Sequence, residues 1–367
     1  MRPFFLERYF DRYEFQTQYT LCSSDIEPLS LKQLLQMAEA DTLELWEGLS
    51  LGYTNASGHP LLLDEITRLY ERIKTDELLV CAPEEGIYLT IRSIIGEGDH
   101  MVVTFPGYQS LYEIAAASGG LIDRWQPVEN EYRIEELRAL MRDDTRMIVI
   151  NFPHNPTGAS VSKEKLDQNV SLAKEYGCYL FSDEMYRLLE FDPSHRLPAV
   201  CDLYEKGISL AGMSKCFSLP GLRIGWLASR DVHFLKACMT YKDYTTLCNS
   251  APSEVLAIIG LQAKGHLLER NMRLLKANLS LQRRFFSEFE DLFSWSEPVA
   301  GPVSFPKILF DMDSDQFCEE LMKSKGVLLL PSSCYEYGTT HFRISCAREH
   351  MPLSLALLYD FMREYFL

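Results

Sequence analysis

The segment Ser214-Lys215-Cys216-Phe217-Ser218-Leu219-Pro220-Gly221-Leu222-Arg223-Ile224-Gly225-Trp226 follows the apolar run Ile208-Ser209-Leu210-Ala211. A buried strand thus leads to an amine beside a hydroxyl, a Pro-Gly turn, and an arginine eight positions after the lysine. A lysine is usually a solvated surface charge. Between an apolar strand and an aromatic-rich turn it is placed to lose water, which lowers its pKa and raises the fraction of free amine. Outward from this segment the same alternation recurs. Leu78-Leu79-Val80-Cys81, Met101-Val102-Val103-Thr104-Phe105, Met147-Ile148-Val149-Ile150-Asn151-Phe152 and Cys178-Tyr179-Leu180-Phe181 read as further buried strands. Polar, helix-like stretches such as Lys163 to Tyr176 lie between them. The pattern predicts an α/β domain with a mostly parallel sheet. Beyond residue 250 it changes to long helices. Val327-Leu328-Leu329-Leu330 and Phe342-Arg343-Ile344-Ser345 then suggest a small α+β unit with which the N-terminal 40 residues pack. The expected division is a large domain at 42–250 and a small one from 1–41 and 251–367.

Ligands of open α/β sheets bind beyond the carboxyl ends of the strands. Three of the expected strands end in distinctive motifs. One is the lysine segment. The second is Asn151-Phe152-Pro153-His154-Asn155-Pro156-Thr157-Gly158, and the third is Ser182-Asp183-Glu184-Met185-Tyr186. Taken singly, an Asn-Pro run is an ordinary turn and a carboxylate at a strand end is an ordinary helix cap. Their order and spacing carry the information: 28 positions from Asn155 to Asp183, and 8 from Lys215 to Arg223.

In that order the motifs resemble those of the class I and II aminotransferases, fold-type I enzymes dependent on pyridoxal 5'-phosphate (PLP), over most of the chain from Tyr53 to Ala347. The resemblance implies a large PLP-binding α/β domain with a mostly parallel, seven-stranded-type sheet between helices. A smaller α+β domain comes from the two termini. It makes Lys215 the Schiff-base lysine and the general base for a proton shift. Asp183 holds the cofactor's ring nitrogen protonated, so that the ring serves as an electron sink. Asn155 and Tyr186 face the phenolate oxygen, and Asn155 also borders the substrate. Ser214 and Arg223 bind the phosphate, Tyr108 of Phe105-Pro106-Gly107-Tyr108 stacks on the ring, and Arg343 of Phe342-Arg343-Ile344-Ser345-Cys346-Ala347 clamps the substrate carboxylate. Tyr53, followed by Gly58, resembles the tyrosine that enters the neighbouring subunit's phosphate site, which implies a homodimer with shared active sites.

Two positions depart from the family pattern. Ala82-Pro83-Glu84 stands where a small turn usually receives the phosphate. Pro83 lacks an N–H, and Glu84 brings a negative charge. Gly212 stands where many relatives carry a serine. A weaker phosphate cup is expected, leaning on Ser214, Arg223 and Tyr53. The activity implied is transfer of an amino group between an L-amino acid and a 2-oxo acid. The alternative is β-elimination, replacement or cyclisation at the same site, as in carbon–sulfur lyases or enzymes of the capreomycidine synthase type. The segment Leu6 to Leu31, with Cys22-Ser23-Ser24-Asp25, resembles the latter.

Composition bounds the rest. The 367 residues suit a large domain plus a smaller one. A net charge of −16 argues against nucleic acid or an anionic membrane as partner. Met1-Arg2-Pro3-Phe4-Phe5-Leu6-Glu7 is too short and too polar for a signal peptide, and no apolar run approaches the roughly 20 residues of a membrane span. The ten cysteines show no Cys-x-x-Cys pair and read as reduced thiols of a cytoplasmic protein. The eight histidines show no ligand spacing, so no metal is expected. The absence of a second obvious arginine clamp argues against a dicarboxylate substrate.

Overall fold

Seven strands form the central sheet of the computed structural model, which describes residues 1–129 and 131–366. They are β1 (Leu78–Cys81), β2 (His100–Thr104), β3 (Leu121–Trp125), β4 (Thr145–Asn151), β5 (Tyr179–Asp183), β6 (Gly207–Gly212) and β7 (Gly225–Ala228). Their order is β1-β7-β6-β5-β4-β2-β3. Strands β2 to β6 run parallel where they pair, and β7 runs antiparallel to both of its neighbours. Five strands were legible as apolar runs. The other two were not read as strands: β3 is Leu-Ile-Asp-Arg-Trp at a half-exposed edge, and the buried β7 (Gly-Trp-Leu-Ala) runs straight on from the lysine segment.

Alternating side chains along each strand enter different cores, as the two-residue strand period requires. Met101, Val103, Met147, Val149 and Phe181 pack on one face with the helix Pro83–Ile94 and with Val232–Lys242. Val102, Ile148, Ile150 and Leu180 pack on the other with the helices Ile134–Leu140 and Lys163–Tyr176. The last of these is bounded as its sequence dictates. The Ser162 side chain accepts from Lys165 N, and Gly177 closes the helix at φ 65°.

After the sheet come the helices Ala251–Gln262 and Lys264–Glu288. An antiparallel trio follows, with Phe342–Ser345 between Val303–Ser304 and Leu330–Pro331. The N-terminus joins this region: Tyr19–Thr20 pairs in parallel with Val327–Leu328, and Ser345 N donates to Leu21 O at 2.8 Å. Beyond it the helix Phe5–Tyr13 is pinned by Leu6, which packs with Cys22, Leu328, Leu330 and Tyr335. Among the described residues no helix is long and apolar enough to cross a membrane, and no group of His, Cys, Asp or Glu has metal-site geometry.

Candidate active site

The carboxyl ends of β4, β5 and β6 open on one cavity of about 370 Å3. Its lining includes Asn155, Asp183, Tyr186, Ser214, Lys215, Arg223 and Arg343, together with Pro83, Glu84 and Tyr108. Tyr53 is not part of this lining and is 91% exposed.

Strand alternation aims the central carboxylate. Asp183 ends β5 facing the cavity, whereas Glu184 turns to the opposite face and accepts from Val200 N and Ser209 Oγ. Met185 N donates to Asp183 Oδ1 at 3.1 Å, and no basic side chain forms an ion pair with it among the described residues. Burial pushes its carboxyl up to about 6, against the pull of that amide and of Lys215. Asn151, the last residue of β4, ties the two strand ends together. Its Nδ2 donates to Asp183 O at 2.9 Å, and its Oδ1 accepts from Asn155 N at 2.8 Å.

Lys215 Nζ donates to Ser24 Oγ at 2.7 Å. Burial holds this amine below the ordinary lysine value, with help from Arg343 and Arg223 and against Asp25 and Asp183. Arg223 sits after a tight turn at Pro220–Leu222 with φ 54°, a left-handed conformation that costs a non-glycine residue energy. Its Nη1 reaches Pro220 O at 3.0 Å and Ser214 Oγ at 3.5 Å.

Arg343 is 1% exposed and has no acidic partner among the described residues. Its Nε donates to Cys22 O at 2.9 Å, and its Nη1 donates to Tyr335 Oη at 2.6 Å and Asn155 Oδ1 at 3.1 Å. Its Nη2 is buried without a partner among the described residues. A buried guanidinium with a spare N–H donor is built to receive an anion. With Asn155 Oδ1 occupied by Arg343 and Tyr335, the Asn155 amide nitrogen is left to donate elsewhere.

The two departures in the phosphate cup are one packing event. Pro83 is the first residue of the helix Pro83–Ile94, and its ring lies on the Gly212–Gly225 pair that links β6 and β7. A Cβ on Gly212 would meet Gly225 Cα at 2.9 Å, Ile224 O at 3.0 Å and Pro83 Cγ at 3.1 Å. Glu84 stays on the cavity wall, where burial pushes its carboxyl up to about 7. Tyr108 donates to Glu7 Oε1 at 3.1 Å and its ring lies 4.9 Å from that of Phe4.

Several lining or supporting residues had no role in the sequence reading. Glu7, Phe10 and Glu14 come from one face of the N-terminal helix and its cap, at the i, i+3, i+7 spacing that would have signalled it. Ser24, Asp25 and Arg348 also line the cavity, and Arg348 Nη2 donates to Asp25 Oδ2 at 3.0 Å. Tyr335 carried no signal beyond being aromatic.

Residues 17–352 match the family described as aminotransferase class I and II, and the chain belongs to it. A crystal structure of a PLP-dependent aminotransferase from Streptococcus suis is 32% identical, covers 100% of this chain and 99% of its own, and superposes with a TM-score of 0.93. Capreomycidine synthase of Streptomyces vinaceus is 28% identical over 280 residues, 75% of this chain and 71% of that protein. A probable aspartate aminotransferase of Methanocaldococcus jannaschii is 24% identical over 366 residues, 91% of this chain and 96% of that protein. The protein is a PLP-dependent aminotransferase by family and fold. The cavity suits that cofactor: a buried carboxylate without an ion-pair partner for a ring cation, a desolvated amine for an aldehyde, and a serine–arginine pair for a phosphate.

Proposed function

We propose that this enzyme moves an amino group between an L-amino acid and a 2-oxo acid in two half-reactions, with Lys215 carrying the proton at the substrate α-carbon. PLP supplies the carbonyl that takes up the amino group and a ring that accepts electron density from the α-carbon. Arg343 receives the substrate carboxylate on its spare N–H and so fixes the α-carbon relative to Lys215. The lowered basicity of Lys215 leaves its amine free to take the α-proton and return it. Asp183 holds the cofactor ring by its cationic nitrogen. Asn155 and Tyr186 offer donors to the ring oxygen, Ser214 and Arg223 to the phosphate. Tyr108 supplies an aromatic face beside the ring, and Pro83 and Glu84 border the phosphate end. The observation that carries the reading is the convergence of Asp183, Lys215 and the unpaired Arg343 on one cavity.

A homodimer belongs to the same reading, because Tyr53 is exposed and has no role within its own chain's cavity. So does the division into domains at 42–250 and at 1–41 with 251–367. A cytoplasmic location accords with ten free cysteines, nine of them buried.

The test is the visible spectrum of the purified holoenzyme, recorded before and after adding single amino acids without any oxo acid. Stoichiometric conversion of the cofactor to pyridoxamine phosphate is expected. Continued turnover with ammonia release, or with a cyclised product, would replace transfer by elimination or cyclisation. That second reading is favoured by the similarity to capreomycidine synthase, and the constellation itself serves either outcome.

A further inference from the structure

The segment Cys22-Ser23-Ser24-Asp25 has no part in the mechanism above, yet three of its residues hold cations of the cavity. Cys22 O accepts from Arg343 Nε at 2.9 Å, and Ser24 Oγ accepts from Lys215 Nζ at 2.7 Å. Asp25 accepts from Arg348, at 3.1 Å on its carbonyl oxygen and at 3.0 Å on Oδ2. Both ends of the segment are tied to the C-terminal strands. Ser345 N donates to Leu21 O at 2.8 Å, Leu21 N to Leu328 O at 2.9 Å, and Glu27 N to Ala347 O at 2.9 Å. Cys22 and Ile26 are fully buried. The Ser24 hydroxyl is therefore carried on a backbone with a defined place beside Lys215.

Ser24 is the hydrogen-bond acceptor of Lys215 Nζ among the described residues, and the amine makes no ion pair among them. An amine takes up a proton on its lone pair. Holding one of its N–H bonds against a fixed oxygen restricts rotation of the side-chain end, and so restricts where that lone pair points. Once the amine has become an ammonium, the same oxygen accepts a stronger, charge-assisted bond. Two residues away, Cys22 holds the guanidinium assigned to the substrate carboxylate. One segment thus places both the base and the group that fixes the α-carbon. Ser24 also bears on the Tyr186 phenol, favouring its ionised form against burial.

Resting on the reading of Lys215 as the base, we propose that Ser24 is a positioning residue for the proton transfer. Its hydroxyl holds the free Lys215 amine towards the substrate α-carbon and stabilises the ammonium that forms. The proton leaves the α-carbon for Nζ. The C–H electron pair stays with the carbon and passes into the cofactor ring, and Lys215 later gives the proton back. This step is common to amino-group transfer and to elimination, so the assignment holds for either outcome of the spectral test. The charged groups nearest Lys215 are Asp25 and Asp183, which favour the ammonium, and Arg343 and Arg223, which oppose it. Glu7, Glu14 and Glu84 complete the acidic set of the cavity, and Arg348 the basic one. A change at Ser24 leaves all of these in place.

The first measurement needs no substrate. Cofactor-free parent, S24A and S24T proteins are mixed with pyridoxal, and the rate of Schiff-base absorbance is followed against pH, with K215A as the background of other lysines. The profile reads the Lys215 pKa. In S24A it is expected to fall by about 0.5–1 unit, because an acceptor that favours the ammonium is gone. S24T keeps the hydroxyl and is expected to match the parent. The second measurement follows the cofactor band of the holoenzyme in single turnovers with α-protio and α-deuterio L-alanine, L-phenylalanine, L-arginine and L-glutamate. S24A is expected to slow the change by about 10-fold or more and to enlarge the deuterium effect, with the half-saturating concentration within about twofold of the parent. Melting curves show that each variant is folded. An S24A protein with the parent's pKa and rate would overturn the proposal, as would an S24T protein as impaired as S24A. A raised half-saturating concentration with an unchanged deuterium effect would make Ser24 a substrate ligand and overturn it too. If no amino acid alters the parent's spectrum, the transfer reading fails and the pyridoxal measurement alone decides the role of Ser24.

Discussion

Gly212 illustrates how one residue's identity is dictated by a neighbour distant in sequence. The proline that starts the helix Pro83–Ile94 removes an N–H donor from the phosphate end, and its ring, together with Gly225 Cα and Ile224 O, occupies the space a side chain at 212 would need. G212S is expected to destabilise the protein by about 1–3 kcal/mol through overpacking. P83A combined with G212S is expected to recover part of the loss. Thermal melts of the two single variants and the pair measure the coupling, and additive losses would show that Pro83 is not the obstacle. Asp183 poses the opposite problem, a buried carboxyl retained at a cost. Its native pKa of about 6 lies above the ordinary 3.8, so between these values the native state binds more protons than the unfolded one. Stability therefore falls as pH rises through that window and the loss is complete above it, by up to about 3 kcal/mol. Cofactor-free D183N is expected to melt no lower than the parent at pH 7.5. The difference should shrink as the pH approaches 4, and scanning fluorimetry across pH would reveal a D183N that is instead much weaker at pH 7.5.

The N-terminal helix Phe5–Tyr13 contributes one wall of the cavity through Leu6, Glu7 and Phe10. It is held by a few ties: Leu6 in a small core with Leu328 and Leu330, Tyr9 Oη to Leu329 O at 2.9 Å, Glu7 to Tyr108, and Arg2 to Glu113 and Glu336. An element held this way opens at lower free energy than the sheet. L6A is expected to speed proteolytic cleavage before residue 15 by roughly 10-fold or more, since truncating a buried leucine costs about 2–5 kcal/mol. The cofactor spectrum should survive while the amino-acid concentration needed to change it rises. If cleavage and amino-acid response both match the parent, the helix does not depend on Leu6 and its wall does not matter to the site.

At the scale of the molecule, the site joins parts far apart in the chain. Asp183 ends a strand of the seven-stranded sheet, and Lys215 lies in the turn just after another. Arg343 belongs to the short trio near the C-terminus, and Ser24 and Glu14 come from the N-terminus. Tyr53 lies outside this arrangement, as expected if its partner is a second copy. Sedimentation is expected to find a dimer at micromolar concentration. Y53F is expected to weaken PLP binding several-fold, because the phosphate end is already short of the donors that Pro83 and Gly212 lack. An active monomer, or a Y53F protein with unchanged PLP affinity, would remove Tyr53 from the site.

The α/β architecture was legible from strand-length apolar runs separated by helical stretches, because burial on both faces leaves a continuous hydrophobic signature. Strands β3 and β7 escaped that reading, since a half-exposed edge strand carries no such run and β7 follows the lysine segment without a break in composition to set it apart. The motifs at Asn151–Gly158, Ser182–Tyr186 and Ser214–Trp226 were visible because each sits directly after its strand, so chain order and spatial order coincide. What lay beyond sequence was every relation between distant segments: the packing of Pro83 on Gly212, the hydrogen bond from Lys215 to Ser24, the spare N–H of Arg343, and the wall that the N-terminal helix adds to the cavity. Local composition determines which elements form and what chemistry they carry. Which charges find partners and which remain for a ligand depends on distances between elements, and those arise only when the chain is packed.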